Sequence, residues 1–196
     1  MNYKAILFYL GLFIFPLSGL AFLNILYSTY FDYFLSIDSY TITFFLALVT
    51  GSFFCYYGKN SLKKINFYEQ LLLIILVYLM SSIFIALPYY LSNYQITFFD
   101  SVFESFSGIT STGFSIFENI KYLDPTLILW RSSSQWIGGL YFIIFLIIIF
   151  SNNQYNFRLN QLVFTGNMGS FSKSNTKNIL LQIFLVYSLL TLLILI

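Results

Sequence analysis

The sequence predicts an all-α polytopic membrane protein, and three observations predict it. Hydrophobic residues make up 59% of the 196-residue chain and charged residues only 8%, against roughly 25% charged in a soluble domain. Five apolar stretches approach or exceed the length needed to cross a hydrocarbon core of about 30 Å, which takes about 20 residues. The few charges are gathered between those stretches. A backbone in lipid must satisfy its own hydrogen bonds, and the chain has no alternating barrel pattern, so the spans must be helices.

The first span is Ala5–Tyr30. Lys4 and the small-residue run Gly19-Leu20-Ala21 are also features of a signal peptide. The apolar run continues through Phe22, Leu23, Ile25, Leu26 and Tyr27, which favours a span, and Pro16 predicts a kink in it. The second span, Thr41–Tyr57, is short, and the third is Phe67–Leu91. Between Ile96 and Phe114 the apolar part is only about 14 residues, the length of a re-entrant or interfacial segment. It predicts a short helix over Thr97–Ile109 followed by irregular backbone. The fourth span is Thr126–Phe150, with Pro125 placed for a helix's first turn, and the fifth is Asn178–Ile196.

Charge then assigns sides. With a cytoplasmic N-terminus and a segment 96–114 that does not cross, Lys4, Lys59, Lys63, Lys64, Arg158, Lys173 and Lys177 fall inside, as the positive-inside rule requires. Asp32, Asp38, Asp100, Glu118 and Asp124 fall outside, Lys121 being the one outer basic residue. Glu69 lies at the inner end of the third span. The expected organisation is a helix pair with its inner loop (1–66), a helix, re-entrant loop and helix unit (67–150), a cytoplasmic linker (151–177) and the start of a second unit (178–196). The expected location is the cytoplasmic (inner) membrane, crossed several times.

Composition excludes several chemistries. The chain has no histidine and a single cysteine, Cys55, so it offers no disulfide framework, no usual transition-metal ligand set and no His-based triad. No cofactor is expected. The net charge of +2 gives no reason to expect nucleic acid. The abundant Tyr and Phe read as lipid-facing or interfacial belts.

Irregular backbone at membrane depth is tolerated only where protein buries it or a watery cavity borders it. Gly108 and Gly113 flank Ile109-Thr110-Ser111-Thr112, which offers four consecutive carbonyls and three hydroxyls. Carbonyls aimed at a common axis can replace the hydration shell of a monovalent cation. The C-terminal, partly negative end of the short helix would aim at the same axis. Ser, Thr and Gly are equally the residues of an ordinary turn. Asp100, at the entry to the short helix, reads as its cap or as a partner of its dipole. Glu104, one turn on, is an intramembrane acid and hence a functional candidate; the structural reading makes it a carboxylate bonded to backbone amides behind the loop.

The run "FFDSVFESFSGITSTGFS", followed by "LILWRSSSQWIGGLYFIIF", resembles the first pore loop and following helix of the Trk/Ktr/HKT superfamily of potassium transporters, most closely its TrkH branch. The residues that carry the resemblance are Asp100, Phe103-Glu104-Ser105, Ser107-Gly108, Thr110, Thr112-Gly113, Trp130-Arg131, Gln135-Trp136 and Gly138-Gly139. The two leading spans resemble an extra N-terminal helix pair of that branch. The resemblance implies four helix, pore-loop and helix repeats around a potassium path, each loop supplying a quarter of the filter. It puts Thr110, Ser111, Thr112 and Gly113 at the ion, mainly through backbone oxygens, with Asp100, Glu104 and Gly108 supporting the pore helix. Ser111 stands where a Thr is expected. The resemblance also implies a cytoplasmic nucleotide-binding regulatory subunit of the TrkA or KtrA kind, for which 151–177 is the expected face, and it allows a homodimer.

One loop cannot enclose an ion, so the expectation is a fragment of a longer transporter, or several copies assembled. The competing expectations are a membrane-embedded lipid or glycan transferase using Glu104 and Arg131, and a truncated product without transport of its own. The reading adopted is not an enzyme. Arg131 has three roles open: facing the pore, pairing with Glu104 or Asp124, or snorkelling to the interface. Gln135 is expected in interhelical hydrogen bonding, and Gly138-Gly139 in close packing on the short helix. The run from Lys59 to Lys64 reads as an inner anchor that could touch anionic lipid.

Overall fold

The computed structural model describes residues 2–33, 37–59, 65–150 and 176–195. Six α-helices are described: α1 (Tyr3–Tyr30), α2 (Ile37–Gly58), α3 (Phe67–Tyr90), α4 (Phe98–Ile109), α5 (Pro125–Phe150) and α6 (Thr176–Leu195). A 3₁₀ turn, Ile120–Tyr122, lies between α4 and α5, and no strand occurs among the described residues. Helices α1, α2, α3 and α5 are long and apolar enough to cross a membrane, whereas the apolar stretch described within α6, Leu181–Ile194, is shorter than a span. The protein is an all-α, multi-pass membrane protein. The linker expected at 151–177 falls outside the described residues up to 175, and so do Lys63, Lys64, Arg158 and Lys173.

The chain forms two compact units, Met1–Gly139 and Leu140–Ile196. The first holds α1 to α4 and the N-terminal half of α5. The second comprises the rest of α5 and α6, and in it the Tyr141 and Phe145 rings lie 6.1 Å apart.

Within the first unit α1 and α2 pack as a hairpin along small residues. Ala47, Gly51 and Cys55 recur every four residues, with Gly58 one turn further, so they share one face of α2. Lipid supplies no hydrophobic drive between helices, and small residues let two backbones approach and gain dispersion contact. A Cβ at Gly11 would lie 2.7 Å from the Gly51 carbonyl oxygen and 2.8 Å from Cys55 Sγ. One at Gly58 would lie 2.5 Å from the Lys4 carbonyl oxygen. Gly11→Leu is therefore expected to cost roughly 1–3 kcal/mol, the range for overpacking a close-packed contact. A lower melting temperature of the purified protein in detergent is the measurement that checks it.

Pro16 lies inside α1, which runs unbroken from Tyr3 to Tyr30, and Pro88 lies inside the last turn of α3. Glu69 joins the starts of α1 and α3. Its Oε2 accepts from the Asn66 amide at 2.8 Å and its Oε1 from the Asn2 amide at 2.6 Å. The carboxylate thus serves orphan donors at the entries of both α1 and α3. Near the N-terminal end of α5, Trp130 Nε1 donates to the Ile85 carbonyl at 3.0 Å and ties α5 to α3. Tyr40 of α2 stacks at a tilt on Trp130 (5.7 Å), and its hydroxyl bonds Thr126 Oγ1 at 3.3 Å. These contacts fix the N-terminal half of α5, the platform on which α4 and its loop rest.

Candidate functional site

Helix α4 begins at a threonine. Thr97 has the extended backbone of an N-cap, and its Oγ1 accepts from the Asp100 amide at 3.2 Å. The same hydroxyl donates to Asp100 Oδ2 at 2.6 Å. Of the two roles open to Asp100, the cap thus belongs to Thr97, while the Asp100 carboxylate sits in the first turn, where the helix dipole favours it. Asp100 also lines a shallow hollow of about 530 Å³ with Tyr94, Thr97, Ile116 and Phe117. Ten residues of helix separate it from Thr110, roughly 15 Å, so its carboxylate does not reach the loop.

The other end of α4 closes on itself. The Ser111 amide donates to the Gly108 carbonyl at 2.9 Å and the Thr112 amide to the Ser107 carbonyl at 3.1 Å. Ser111 has φ +55°. Paired bonds of this kind around a left-handed residue form the Schellman C-cap, in which glycine usually holds the left-handed place. With the Thr110 amide on the Phe106 carbonyl at 3.0 Å, three consecutive loop amides face back into the helix end. The carbonyl and amide of a trans peptide point opposite ways, and no peptide here is cis. The carbonyls of Thr110 and Ser111 are therefore turned away from α4. Neither they nor the Thr112 carbonyl accepts a hydrogen bond among the described residues. The helix end itself is less open than expected, because the carbonyls of Phe106, Ser107 and Gly108 are taken by the loop.

The loop hydroxyls are turned inward. Thr110 Oγ1 donates to the Phe106 carbonyl at 2.6 Å, Thr112 Oγ1 to the Ser107 carbonyl at 3.3 Å, and Ser111 Oγ to the Gln135 carbonyl at 3.1 Å. Gln135 thus meets the loop through its backbone. Gly113 has φ +81° with no atom within 4 Å of where a Cβ would stand, so glycine is needed there for conformation and not for room. Its carbonyl is held differently from those before it. Arg131 donates through one guanidinium nitrogen to the carbonyls of Gly113 and Phe114, each at 3.3 Å.

The other arm of Arg131 pairs with Glu104 and donates to Ser115 Oγ at 2.8 Å. Glu104, 1% exposed, also accepts from the Ile116 amide at 3.0 Å and from Ser115 Oγ at 3.2 Å. Of the roles open to Arg131, pairing with Glu104 is the one observed. Burial of both charges is tolerable because each is paired and its remaining valences are bonded. Asp124 instead accepts from Thr126 Oγ1 at 2.8 Å, at the start of α5. The pair pins residues 113–116 behind the loop, and Ser107 Oγ adds a 2.5 Å bond to the Phe114 carbonyl. Ser107 is marked in the sequence only as one of the residues that carry the family resemblance, and Ser115 carries no signal that separates it from the many other serines.

Two glycines seat α4 on α5. A Cβ at Gly138 would overlap the Ile109 carbonyl oxygen and lie 2.7 Å from its carbon, and one at Gly108 would lie 3.3 Å from Ser134 Cβ, closer still to its hydroxyl. Ser134, Gln135 and Gly138 thus form a seat for the end of α4 and the first turn of the loop.

Three relatives fix the context. The chain is 33% identical over 102 residues to an uncharacterized cation transporter of Methanocaldococcus jannaschii, a match covering 50% of this chain and 22% of that one. It is 30% identical over 112 residues to the Trk system potassium uptake protein TrkH of Escherichia coli, covering 57% and 23%. Over about half its length this chain is similar to Trk system potassium uptake proteins. A third example is TrkI of Halomonas elongata, 38% identical over 73 residues, covering 37% and 15%. The matched segment spans under a quarter of the length of each of these relatives. No family model matches it.

Proposed function

We propose that this chain takes part in potassium uptake across the cytoplasmic membrane, with residues 110–113 supplying one quarter of a carbonyl-lined filter. The observation that carries the reading is the run of three amides turned into α4, which turns the carbonyls of Thr110 and Ser111 away from the helix and leaves them, with the unbonded Thr112 carbonyl, as ligands for a dehydrated cation. Potassium is the ion in the names of the Trk relatives. Gly113 serves through its left-handed turn, and its carbonyl, bonded to Arg131, is the weakest candidate ligand of the four. The positive-inside pattern supports a cytoplasmic N-terminus. The other quarters of the filter come from further repeats or further copies, and a nucleotide-binding subunit of the TrkA or KtrA kind regulates from the cytoplasmic side. The transferase alternative loses support, because Glu104 and Arg131 bind each other and the loop.

The test is growth at limiting potassium, in a host lacking its own uptake systems, with this protein as the only transporter. Gly113→Asp and Gly113→Arg are expected to abolish potassium uptake while leaving the amount of protein in the membrane unchanged. Open space around Gly113 removes packing as a cause, and Gly113→Ala, which carries the strain of a side chain at φ +81° without a charge, is the control for conformation. Aspartate would hold the cation too well to release it, and arginine would repel it. Normal growth with either variant overturns the reading.

A further inference from the structure

Ser111 occupies a position at which serine costs stability. A left-handed residue other than glycine is penalised because its Cβ approaches the backbone, and the Schellman cap ordinarily avoids this with glycine. Ser111 has φ +55°, yet its side chain is turned to a definite partner, the Gln135 carbonyl, at 3.1 Å. That carbonyl belongs to the α5 seat on which Gly138 receives Ile109. The loop is consequently held at its middle from two sides: the Ser111 amide is bonded to α4 and the Ser111 hydroxyl to α5. A glycine would keep the first tie and lose the second.

We propose that Ser111 determines cation specificity through this tie, as a positioning residue whose hydroxyl latches the loop to α5 and sets the place of its own carbonyl. The inference rests on the filter reading above. A carbonyl ring discriminates between potassium and the smaller sodium only if its oxygens resist closing in on the smaller ion. The α4 end alone fixes the direction of the Thr110 and Ser111 carbonyls. The latch to α5 adds resistance to inward movement, because residue 111 cannot shift without stretching a bond to a second helix. Ser111 is exposed on its other side, so the latch bears on the loop and not on the packing of the chain.

The experiment is competitive uptake of potassium and sodium by the protein in cells lacking other uptake systems, for wild type, Ser111→Gly, Ser111→Ala and Ser111→Thr, each normalised to protein in the membrane. In Ser111→Gly and Ser111→Ala the potassium-to-sodium ratio is expected to fall roughly three- to tenfold, the factor one hydrogen bond of typical net strength is worth. Ser111→Thr retains the hydroxyl and is expected to keep the ratio, its β-branch at positive φ appearing as lower yield. Ser111→Gly with the wild-type ratio overturns the latch, as does loss of the ratio in Ser111→Thr. If wild type itself shows no preference for potassium, the filter reading fails and the latch with it.

Discussion

Arg131→Met is expected to destabilise the protein by about 3–5 kcal/mol, the cost of leaving one partner of a buried ion pair uncompensated, and to abolish potassium uptake. Glu104 would keep only the Ile116 amide and the Ser115 hydroxyl as donors, in a place where it is 1% exposed. Arg131→Lys is expected to fail as well, because one ammonium cannot serve Glu104 and Ser115 with one arm and the carbonyls of Gly113 and Phe114 with the other, as a planar fork does. The double variant Glu104→Leu/Arg131→Leu separates the two effects. Replacing a whole buried pair with apolar residues is often neutral or stabilising, so thermal stability in detergent should recover. Uptake should not, because residues 113–116 lose their bonds to both side chains. If uptake returns together with stability, the pair only holds the fold.

Much of the architecture was legible because a membrane reduces the problem to length and polarity. The short helix expected over Thr97–Ile109 is observed as Phe98–Ile109, and the fourth span expected from Thr126 starts at Pro125. Helix α2 begins at Ile37, four residues before the expected Thr41, because hydropathy alone places Asp38 and Ser39 in a loop. A threonine three residues before Asp100 is the Ser/Thr-x-x-acid pattern of a helix start, and it makes Thr97 rather than Asp100 the cap of α4. The left-handed residue was less visible. Gly108 and Gly113 are the residues that advertise such a conformation; only Gly113 adopts it, Gly108 serving for close contact with Ser134, and a serine takes the other left-handed place. Arg131 and Glu104 lie 27 residues apart, and nothing in one sequence chooses Glu104 over Asp124. Their meeting follows from α4 lying back on α5, a tertiary fact.

Gly138→Ala separates that tertiary fact from local preference, because the two predict opposite signs. Helix propensity alone favours alanine over glycine in a helix interior by about 1 kcal/mol. At Gly19 of α1, where a Cβ would meet nothing within 4 Å, Gly19→Ala should therefore be neutral or stabilising. At Gly138 the same methyl would overlap the Ile109 carbonyl group, and backbone cannot rotate aside as a side chain can. The end of α4 must move off α5, at an overpacking cost of roughly 1–3 kcal/mol, and it carries Thr110 and Ser111 with it. Loss of potassium uptake and a lower melting temperature are the expected results. Gly108 supplies the contrast, since its close neighbour is the Ser134 side chain. The defect of Gly108→Ala should be suppressed by Ser134→Gly, whereas no substitution at Ile109 removes the carbonyl that blocks Gly138→Ala. If Gly138→Ala transports potassium as wild type does, α4 does not need its seat on α5, and the loop is positioned from its N-terminal side alone.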